Sequence, residues 1–217
     1  MATILRTWSY QYPWVYALVS RLATLNVGGE ERFHQLPLEN LAISPGQKVL
    51  DLCCGGGQAT VYLAQSGATV VGLDASPKAL GRAKINVPQA TYVQGLAEDL
   101  PFGEGEFDLV HTSVALHEMT PAQLQSIISG VHRVLKPGGI FALVDLHRPS
   151  NWLFWPPLAI FMSLFETETA WQLINTDLGS LLDHAGFTVV RKHLYAGGSL
   201  QVIQAKANKT VDSATAN

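Results

Sequence analysis

Short apolar runs alternate with helically spaced apolar residues along most of this chain. Near-continuous apolar runs are typical of strands buried on both faces, whereas apolar residues three and four positions apart indicate amphipathic helices. The runs predict strands from Lys48 to Asp51, Thr69 to Leu73, Thr91 to Gln94, Phe107 to Thr112 and Ile140 to Leu146. Helices are expected between them, including one from Pro121 through Val134. Strand–helix alternation of this kind predicts an α/β fold built on a parallel sheet.

Two helices are predicted before the first strand. Helically spaced apolar residues predict one over Tyr10–Asn26, and Gly28-Gly29 separates it from a second over Glu30–Leu41. Because residues 1–44 precede the sheet, we expect them to form a helical cap over it. Tyr16 is a candidate for the lining of a substrate entrance, with simple packing as the alternative role.

Composition limits the classes of function. A chain of 217 residues with 47% hydrophobic residues suits one domain with a full core. The net charge of −3 provides no electrostatic footprint for nucleic acid. Cys53 and Cys54 are adjacent and build no disulfide framework, so we expect a cytoplasmic protein without a metal site. The apolar stretch Trp152–Phe165 is short for a membrane span and contains Pro156-Pro157.

A glycine-rich loop follows the first predicted strand and carries the strongest chemical signal. Gly55 and Gly57 let the backbone turn sharply and let a ligand lie against the main chain, as in nucleotide sites. Asp51 precedes them, and its negative charge suits a cationic ligand such as S-adenosylmethionine better than the pyrophosphate of a dinucleotide. Thr60 stands where the dehydrogenase fingerprint requires glycine or alanine. A nicotinamide-dependent oxidoreductase is therefore a weaker alternative.

Asp74 ends the second predicted strand, close to the distance from the glycine loop at which an acid binds ribose hydroxyls. Its two oxygens suit a vicinal diol. The alternative role is local, at the start of the helix after Ser76-Pro77. We favour the ribose role because the glycine loop lies at the right spacing.

Five motifs in this order resemble the class I S-adenosylmethionine-dependent methyltransferases, in particular the small-molecule branch with the quinone-biosynthesis (type 11) enzymes. The motifs are Val49–Gly57, Val70–Ser76, Ala97–Phe102, Phe107–Val110 and Arg133–Gly139. The resemblance implies a Rossmann-like, mostly parallel seven-stranded sheet with helices on both faces and an antiparallel last strand. It places the methyltransferase domain at residues 45–206, followed by a disordered tail at 207–217.

The resemblance also implies roles for individual cofactor-binding residues. The methionine part of S-adenosylmethionine would be held by Asp51, Cys53, Gly55 and Gly57, above Thr112 and Ser113. The ribose would meet Asp74, and the adenine would meet Ala75, Ala97 and Glu98. Two positions depart from the family pattern. Cys53 stands where glycine is common, and Leu96 replaces an acid that meets the adenine amino group, which leaves backbone groups, water or Glu98 for that contact.

Methyl transfer relies on alignment and desolvation, with or without a base that deprotonates the acceptor. His117 and His147 are the catalytic candidates because they follow the fourth and fifth strands at the predicted active edge. His111, inside a strand pattern, is a weaker candidate. His117 and His147 are also substrate-binding candidates, together with Tyr16, Arg148, Trp152 and Trp155.

An apolar, aromatic insert at residues 148–170 predicts a lid over a small hydrophobic acceptor, such as a prenylated quinone or phenol. Peripheral membrane contact is a corollary, and the chain is expected to be a monomer or a homodimer. Packing against the N-terminal helices or a dimer contact explains the insert nearly as well. A non-catalytic S-adenosylmethionine-binding protein is the main alternative function, and a nucleic-acid methyltransferase is disfavoured because basic clusters are absent.

Overall fold

The computed structural model describes Thr24 and residues 27–209. Tyr16, nearly all of the predicted helix Tyr10–Asn26 and residues 210–217 lie outside the described residues. The predictions for a complete helical cap and for a disordered tail therefore stay predictions.

One sheet runs through the described part of the chain. Its strands are β1 (Lys48–Leu52), β2 (Thr69–Asp74), β3 (Thr91–Gln94), β4 (Phe107–Ser113), β5 (Leu135–Leu146), β6 (Phe187–Tyr195) and β7 (Leu200–Ala207). They lie in the order β3-β2-β1-β4-β5-β7-β6. The pairings among β1 to β5 are parallel, whereas β7 runs antiparallel to both of its neighbours, β5 and β6. The predicted fold class is confirmed.

Helices cover both faces of this sheet. They are α1 (Glu30–Gln35), α2 (Thr60–Gln65), α3 (Pro77–Asn86), α4 (Pro121–Val134), α5 (Trp155–Phe165), α6 (Glu168–Leu173) and α7 (Leu178–His184). Short 3-10 helices lie at Leu36–Leu38, Leu116–Glu118, Trp152–Phe154 and Ala196–Gly198. The bounds of α4 match the sequence prediction because Thr120 and Gln123 form a capping box just before and after Pro121.

The alternation of side chains along β1 separates the two halves of the core. Leu50 and Leu52 pack in a large cluster with apolar residues of α4 and α7. Val49 points to the other face, where it packs with Leu63 of α2 and residues of β2, β4 and β5. Both faces are buried, which explains the nearly continuous apolar runs of the central strands.

The segment before β1 is anchored at the β7 side of the sheet. Phe33 and Leu36 pack on Val144 and Val202. The side-chain amide of Gln204 donates to the backbone carbonyls of Pro37 and Glu39 at 2.8 and 2.9 Å. The second predicted helix is shorter than Glu30–Leu41, because α1 tightens into the 3-10 helix at Leu36–Leu38.

The sequence predicts a turn at Lys136–Gly139 that separates α4 from the fifth strand. This prediction is wrong, because these residues belong to β5. β5 begins at Leu135, which pairs with Phe107, and the register then shifts before Ile140 pairs with Leu109. Gly138, with φ of 74°, absorbs the irregularity. The glycine therefore permits a bulge inside a longer strand rather than a separate turn.

The predicted lid folds as the 3-10 helix Trp152–Phe154 followed by α5 and the start of α6. Its inner side is apolar and buried, with Met162, Ala170 and Ile174 packed on Leu146. Its outer side exposes large apolar residues, namely Trp152, Leu153, Ile160 and Leu164. None of the helices in residues 27–209 combines the length and apolar character needed to cross a membrane.

Candidate active site

The glycine loop after β1 has the backbone geometry that the sequence predicts. Gly55 and Gly57 adopt φ of 54° and 86°, a region that disfavours side chains with a Cβ. A Cβ on Gly57 would contact the Cα of Ala83 in α3 at 3.4 Å, so this glycine lets loop and helix pack closely. A Cβ on Gly55 would meet only the Gln58 Oε1 atom, at 3.5 Å. The backbone at Gly55 is therefore open to a ligand on one side.

Asp74 connects the end of β2 to this loop. Its Oδ2 atom accepts a hydrogen bond from the backbone N–H of Gly55 at 2.9 Å, and its Oδ1 atom accepts one from Ser76 at 2.9 Å. Ser76, rather than Asp74, is the N-cap of α3. The carboxylate is only partly buried, and each oxygen keeps a lone pair that can accept from a ribose hydroxyl.

Asp51 is more deeply placed than the sequence indicates. Its carboxylate is buried and accepts a hydrogen bond from Thr60 Oγ1 at 2.6 Å, while His111 Nδ1 lies 2.9 Å from the other oxygen. Thr60 thus has a structural reason to differ from the dehydrogenase fingerprint. The strand pattern alone makes His111 a weak candidate, but Asp51 and His111 are direct partners in the parallel register of β1 and β4.

Several buried polar atoms at this edge have no hydrogen-bond partner among the described residues. They are His111 Nε2, Thr112 Oγ1, Ser113 Oγ and, on α1, His34 Nδ1. Burial and the neighbouring His111 lower the pKa of His34 to about 4, although the carboxylate of Asp51 acts in the opposite direction. Buried polar groups without partners are rare in proteins, and a polar ligand at this edge would satisfy them.

The electrostatics of the loop favour a cation. Burial, together with the negative charges of Asp74, Asp51, Glu118 and Glu98, raises the pKa of the Cys53 thiol to about 12. Four carboxylates therefore act on the same point of the loop. An ammonium and a sulfonium fit such surroundings, so the residues present suit S-adenosylmethionine. Cys53 itself has φ of 58°, which explains why glycine is common at this position in the resembling family.

Among the residues predicted to line the adenine, the side chain of Glu98 already accepts a hydrogen bond within the protein. Ala75 is exposed and Ala97 is buried. Glu98 accepts a hydrogen bond from the Gln123 side chain at 2.9 Å. Leu96, which replaces the family's acid, is 54% exposed. The carboxylate of Glu98 can accept hydrogen bonds from both the Gln123 side chain and an adenine amino group, because it has two oxygens.

His117 lies between two carboxylates, after the carboxyl end of β4. Its Nδ1 atom is 2.7 Å from Asp145 Oδ1 in β5, and its Nε2 atom is 3.4 Å from Glu166 Oε2, directly after α5. Burial alone would lower the pKa of His117, but Asp145, Glu166 and Glu118 outweigh it and raise the pKa to about 9. The ring is therefore a cation at neutral pH, without a free lone pair to take a proton.

The remaining predicted acceptor residues lie along β5 and the lid. His147 Nδ1 donates to the Gly198 carbonyl at 2.8 Å, which turns this ring toward the connection between β6 and β7. Arg148 stacks its guanidinium over the Trp155 ring at 5.9 Å. Trp152 is 78% exposed. The structure thus groups Arg148 and Trp155 but places His147 and His117 in separate hydrogen-bond networks.

Comparison with known proteins agrees with this geometry. Residues 49–139 match a family model described as a methyltransferase domain. An uncharacterised methyltransferase of Synechocystis sp. is 98% identical over 212 residues, which are 98% of this chain and 100% of that protein. The chain belongs to the class I S-adenosylmethionine-dependent methyltransferases. The family resemblance seen in the motifs is confirmed, and the cofactor of this methyltransferase is S-adenosylmethionine.

Two further comparisons bear on branch and fold. A 2-phytyl-1,4-naphtoquinone methyltransferase of Nostoc sp. is 33% identical over 141 residues, and the match covers 60% of either chain. The methyltransferase described here thus spans only part of that relative. A crystal structure of an S-adenosylmethionine-dependent methyltransferase from Methanosarcina mazei superposes with a TM-score of 0.64 at 21% identity, covering 79% of this chain and 97% of that one. This similarity supports the fold.

Proposed function

We propose that this methyltransferase transfers the methyl group of S-adenosylmethionine to a small hydrophobic aromatic acceptor, with a prenylated quinone or phenol as the sharpest version. One observation carries the proposal. The lid beside the carboxyl edge has no charged residue between Arg148 and Glu166, and its inner side packs on Leu146 at the end of β5. A polar acceptor would find few partners there. The name of the Nostoc relative supports the quinone class.

The cofactor-binding residues are proposed from the fit of charge and backbone. Asp51, Cys53, Gly55 and Gly57 hold the methionine part, and the unpaired hydroxyls of Thr112 and Ser113 lie beneath it. Asp74 accepts from the ribose hydroxyls while it orders the loop through Gly55. Ala75, Ala97 and Glu98 line the adenine. S-adenosylmethionine supplies a methyl group activated by positive sulfur, and the protein supplies alignment and a dry surface.

On the acceptor side, we assign His117 the role of a charged orienting group. Its pKa of about 9 makes it a cation at neutral pH, which suits it to hold the carboxylates of Asp145 and Glu166 in place beside the acceptor rather than to remove a proton. His147 remains the other candidate for contact with the acceptor. Arg148, Trp152, Trp155 and Tyr16 are the proposed residues of the entrance, of which Tyr16 lies outside the described residues.

The outer side of the lid supports peripheral membrane contact in a cytoplasmic protein. Trp152, Leu153 and Ile160 are 78%, 59% and 60% exposed. Tryptophan and aliphatic side chains are favoured at the boundary between headgroups and acyl chains. A lipid-soluble acceptor would reach the site from that boundary. Cys53 and Cys54 are free thiols, in keeping with a reducing compartment.

A non-catalytic S-adenosylmethionine-binding protein is the second candidate function, and Leu96 is the observation that favours it. Because Leu96 cannot accept a hydrogen bond, adenine recognition loses one polar contact. A methyltransferase converts S-adenosylmethionine to S-adenosylhomocysteine, whereas a binding protein does not. A binding protein would never release S-adenosylhomocysteine, whatever acceptor is offered.

The test is a panel of acceptors with radiolabelled S-adenosylmethionine, in which reduced prenylated naphthoquinones and phenols are compared with hydrophilic catechols and amines. We expect labelled product with the prenylated compounds and a rising kcat/KM as the prenyl chain lengthens. Product with hydrophilic acceptors alone would overturn the proposed substrate class. A protein that binds S-adenosylmethionine but gives no product with any acceptor would support the second candidate.

A further inference from the structure

We propose that Glu166 is a positioning residue that fastens the lid to the carboxyl edge of the sheet through His117. The inference rests on the proposed function for the lid's role over an acceptor. His117 joins three parts of the chain, because it lies in the 3-10 helix after β4 and contacts Asp145 of β5 and Glu166 of the lid. These parts are distant in sequence, so the contact defines how the lid sits on the sheet.

The inner half of this contact is rigid. Asp145 is fully buried, and its Oδ2 atom accepts hydrogen bonds from the backbone N–H groups of Leu116 and His117 at 2.8 and 3.3 Å. Its Oδ1 atom meets the ring of His117 at 2.7 Å. The carboxylate therefore fixes both the 3-10 helix and the orientation of the imidazole. Turning the ring would break its buried hydrogen bond to Asp145.

The ion pair between His117 and Glu166 is weaker than the contact between His117 and Asp145. The distance between His117 Nε2 and Glu166 Oε2 is 3.4 Å, and the Glu166 side chain is 13% exposed. Glu166 directly follows α5, and its backbone N–H donates to the carbonyl of Met162, an α5 residue whose side chain is buried on the inner side of the lid. A break between His117 and Glu166 would remove one attachment of the end of α5 while His117 stays bound to Asp145. Water competes best for this outer pair.

The charge on His117 decides whether the outer pair is attractive. Asp145, Glu166 and Glu118 all favour the protonated ring. When the ring loses its proton, Nδ1–H still donates to Asp145, but Nε2 turns a lone pair toward the carboxylate of Glu166. Attraction then becomes repulsion. The attachment of the lid through His117 and Glu166 is therefore attractive at neutral pH and is lost as the pH rises through about 9.

Tryptophan fluorescence tests this inference without any ligand. Three of the five tryptophans, Trp152, Trp155 and Trp171, lie in or beside the lid. When Trp8 and Trp14 are both replaced by Phe, all tryptophan fluorescence comes from these three residues. Acrylamide quenching would be measured for the full chain, for Glu166→Gln and for the matched control Glu168→Gln, which neutralises an exposed acid two residues further on.

We expect Glu166→Gln to raise quenching at neutral pH toward the value that the unmodified lid reaches above pH 9, because the variant lacks the charge that pairs with His117. Glu168→Gln should leave quenching unchanged. Equal quenching in Glu166→Gln and Glu168→Gln would overturn the inference. So would quenching of the unmodified lid that stays flat through pH 9. Circular dichroism verifies that each variant is folded.

Kinetics separate positioning from a general loss of structure. Glu166→Gln should raise KM for a hydrophobic acceptor several-fold, while the Kd for S-adenosylmethionine stays unchanged. A rise in both constants, or in neither, would contradict the positioning role. If the fluorescence changes as expected but no hydrophobic acceptor is methylated, the fastening of the lid stands and the proposed acceptor class fails.

Discussion

The carboxylate of Asp74 accepts a hydrogen bond from the backbone N–H of Gly55 at 2.9 Å. This contact joins the carboxyl end of β2 to the loop that follows β1, the two parts of the edge to which the ribose and methionine ends of the cofactor are assigned. Asp74 orders the loop through this contact, and we propose that its remaining lone pairs accept from the ribose hydroxyls.

We expect Asp74→Ala to weaken S-adenosylmethionine binding by about tenfold or more, since hydrogen bonds to a charged group contribute about 1.5–3 kcal/mol. Isothermal titration calorimetry measures the effect. Asp99→Asn, an exposed acid further along the same edge, is the matched control and should bind normally. Equal affinity in the two variants would remove Asp74 from the cofactor site.

The backbone of Cys53 leads to a stability prediction. Its φ of 58° is costly for any residue with a Cβ and costliest for a β-branched one. Cys53→Val should therefore lose about 2 kcal/mol or more of unfolding free energy, a typical cost of such backbone strain combined with misfit. Cys53→Gly should stay within about 1 kcal/mol of the unmodified protein, because relief of strain offsets lost packing. Urea denaturation of both variants compares them, and a Val variant as stable as the Gly variant would contradict the strained conformation.

Replacement of Leu96 by an acid is expected to increase the affinity for S-adenosylmethionine. Since Glu98 is shared with Gln123 and Leu96 is 54% exposed, an acid at position 96 adds an acceptor for the adenine amino group. Leu96→Asp should tighten S-adenosylmethionine binding by about threefold to tenfold, the range for one net hydrogen bond. Leu96→Ala, which removes bulk without adding an acceptor, should not. Tighter binding in both variants would mean that Leu96 acts only by its size.

The pH dependence of stability follows from His117. Its pKa is raised from 6.5 to about 9 in the folded protein, so the folded state holds a proton that the unfolded state releases. The stabilisation is complete below pH 6.5 and is lost as the pH rises to about 9, with a magnitude of about 3 kcal/mol. Denaturation across this range should show the fall, and His117→Gln should flatten it. A profile that rises over the same range would contradict the protonated state.

The sequence predicts most of the sheet, because hydrophobic runs and glycine or proline positions are local signals. The Asp51–His111 pair escaped prediction although it follows from strand register, since an isolated histidine in a strand carries no signal of its partner. The contact between His117 and Glu166 depends on how the lid folds back, which apolar composition alone does not specify. Cys53 was visible as a departure from the family pattern, but its left-handed backbone appears only in the structure.

The longer β5 shows a further limit of local signals. Pro137-Gly138-Gly139 is typical of a turn, and sequence reasoning ended the helix and began the strand around it. In the fold, Leu135 pairs with Phe107 before the bulge, so pairing with a neighbouring strand overrides the local preference. The start of β5 at Leu135 therefore depends on the position of β4, which local sequence does not specify.

A single-turnover experiment tests the central claim most directly. Methyl-labelled S-adenosylmethionine is bound to excess protein and then mixed with a reduced prenylated naphthoquinone in detergent. We expect the label to enter the organic phase together with an equal amount of S-adenosylhomocysteine. Bound cofactor that remains intact, or label that moves only to a hydrophilic acceptor offered in its place, would contradict methyl transfer to a hydrophobic acceptor beneath the lid.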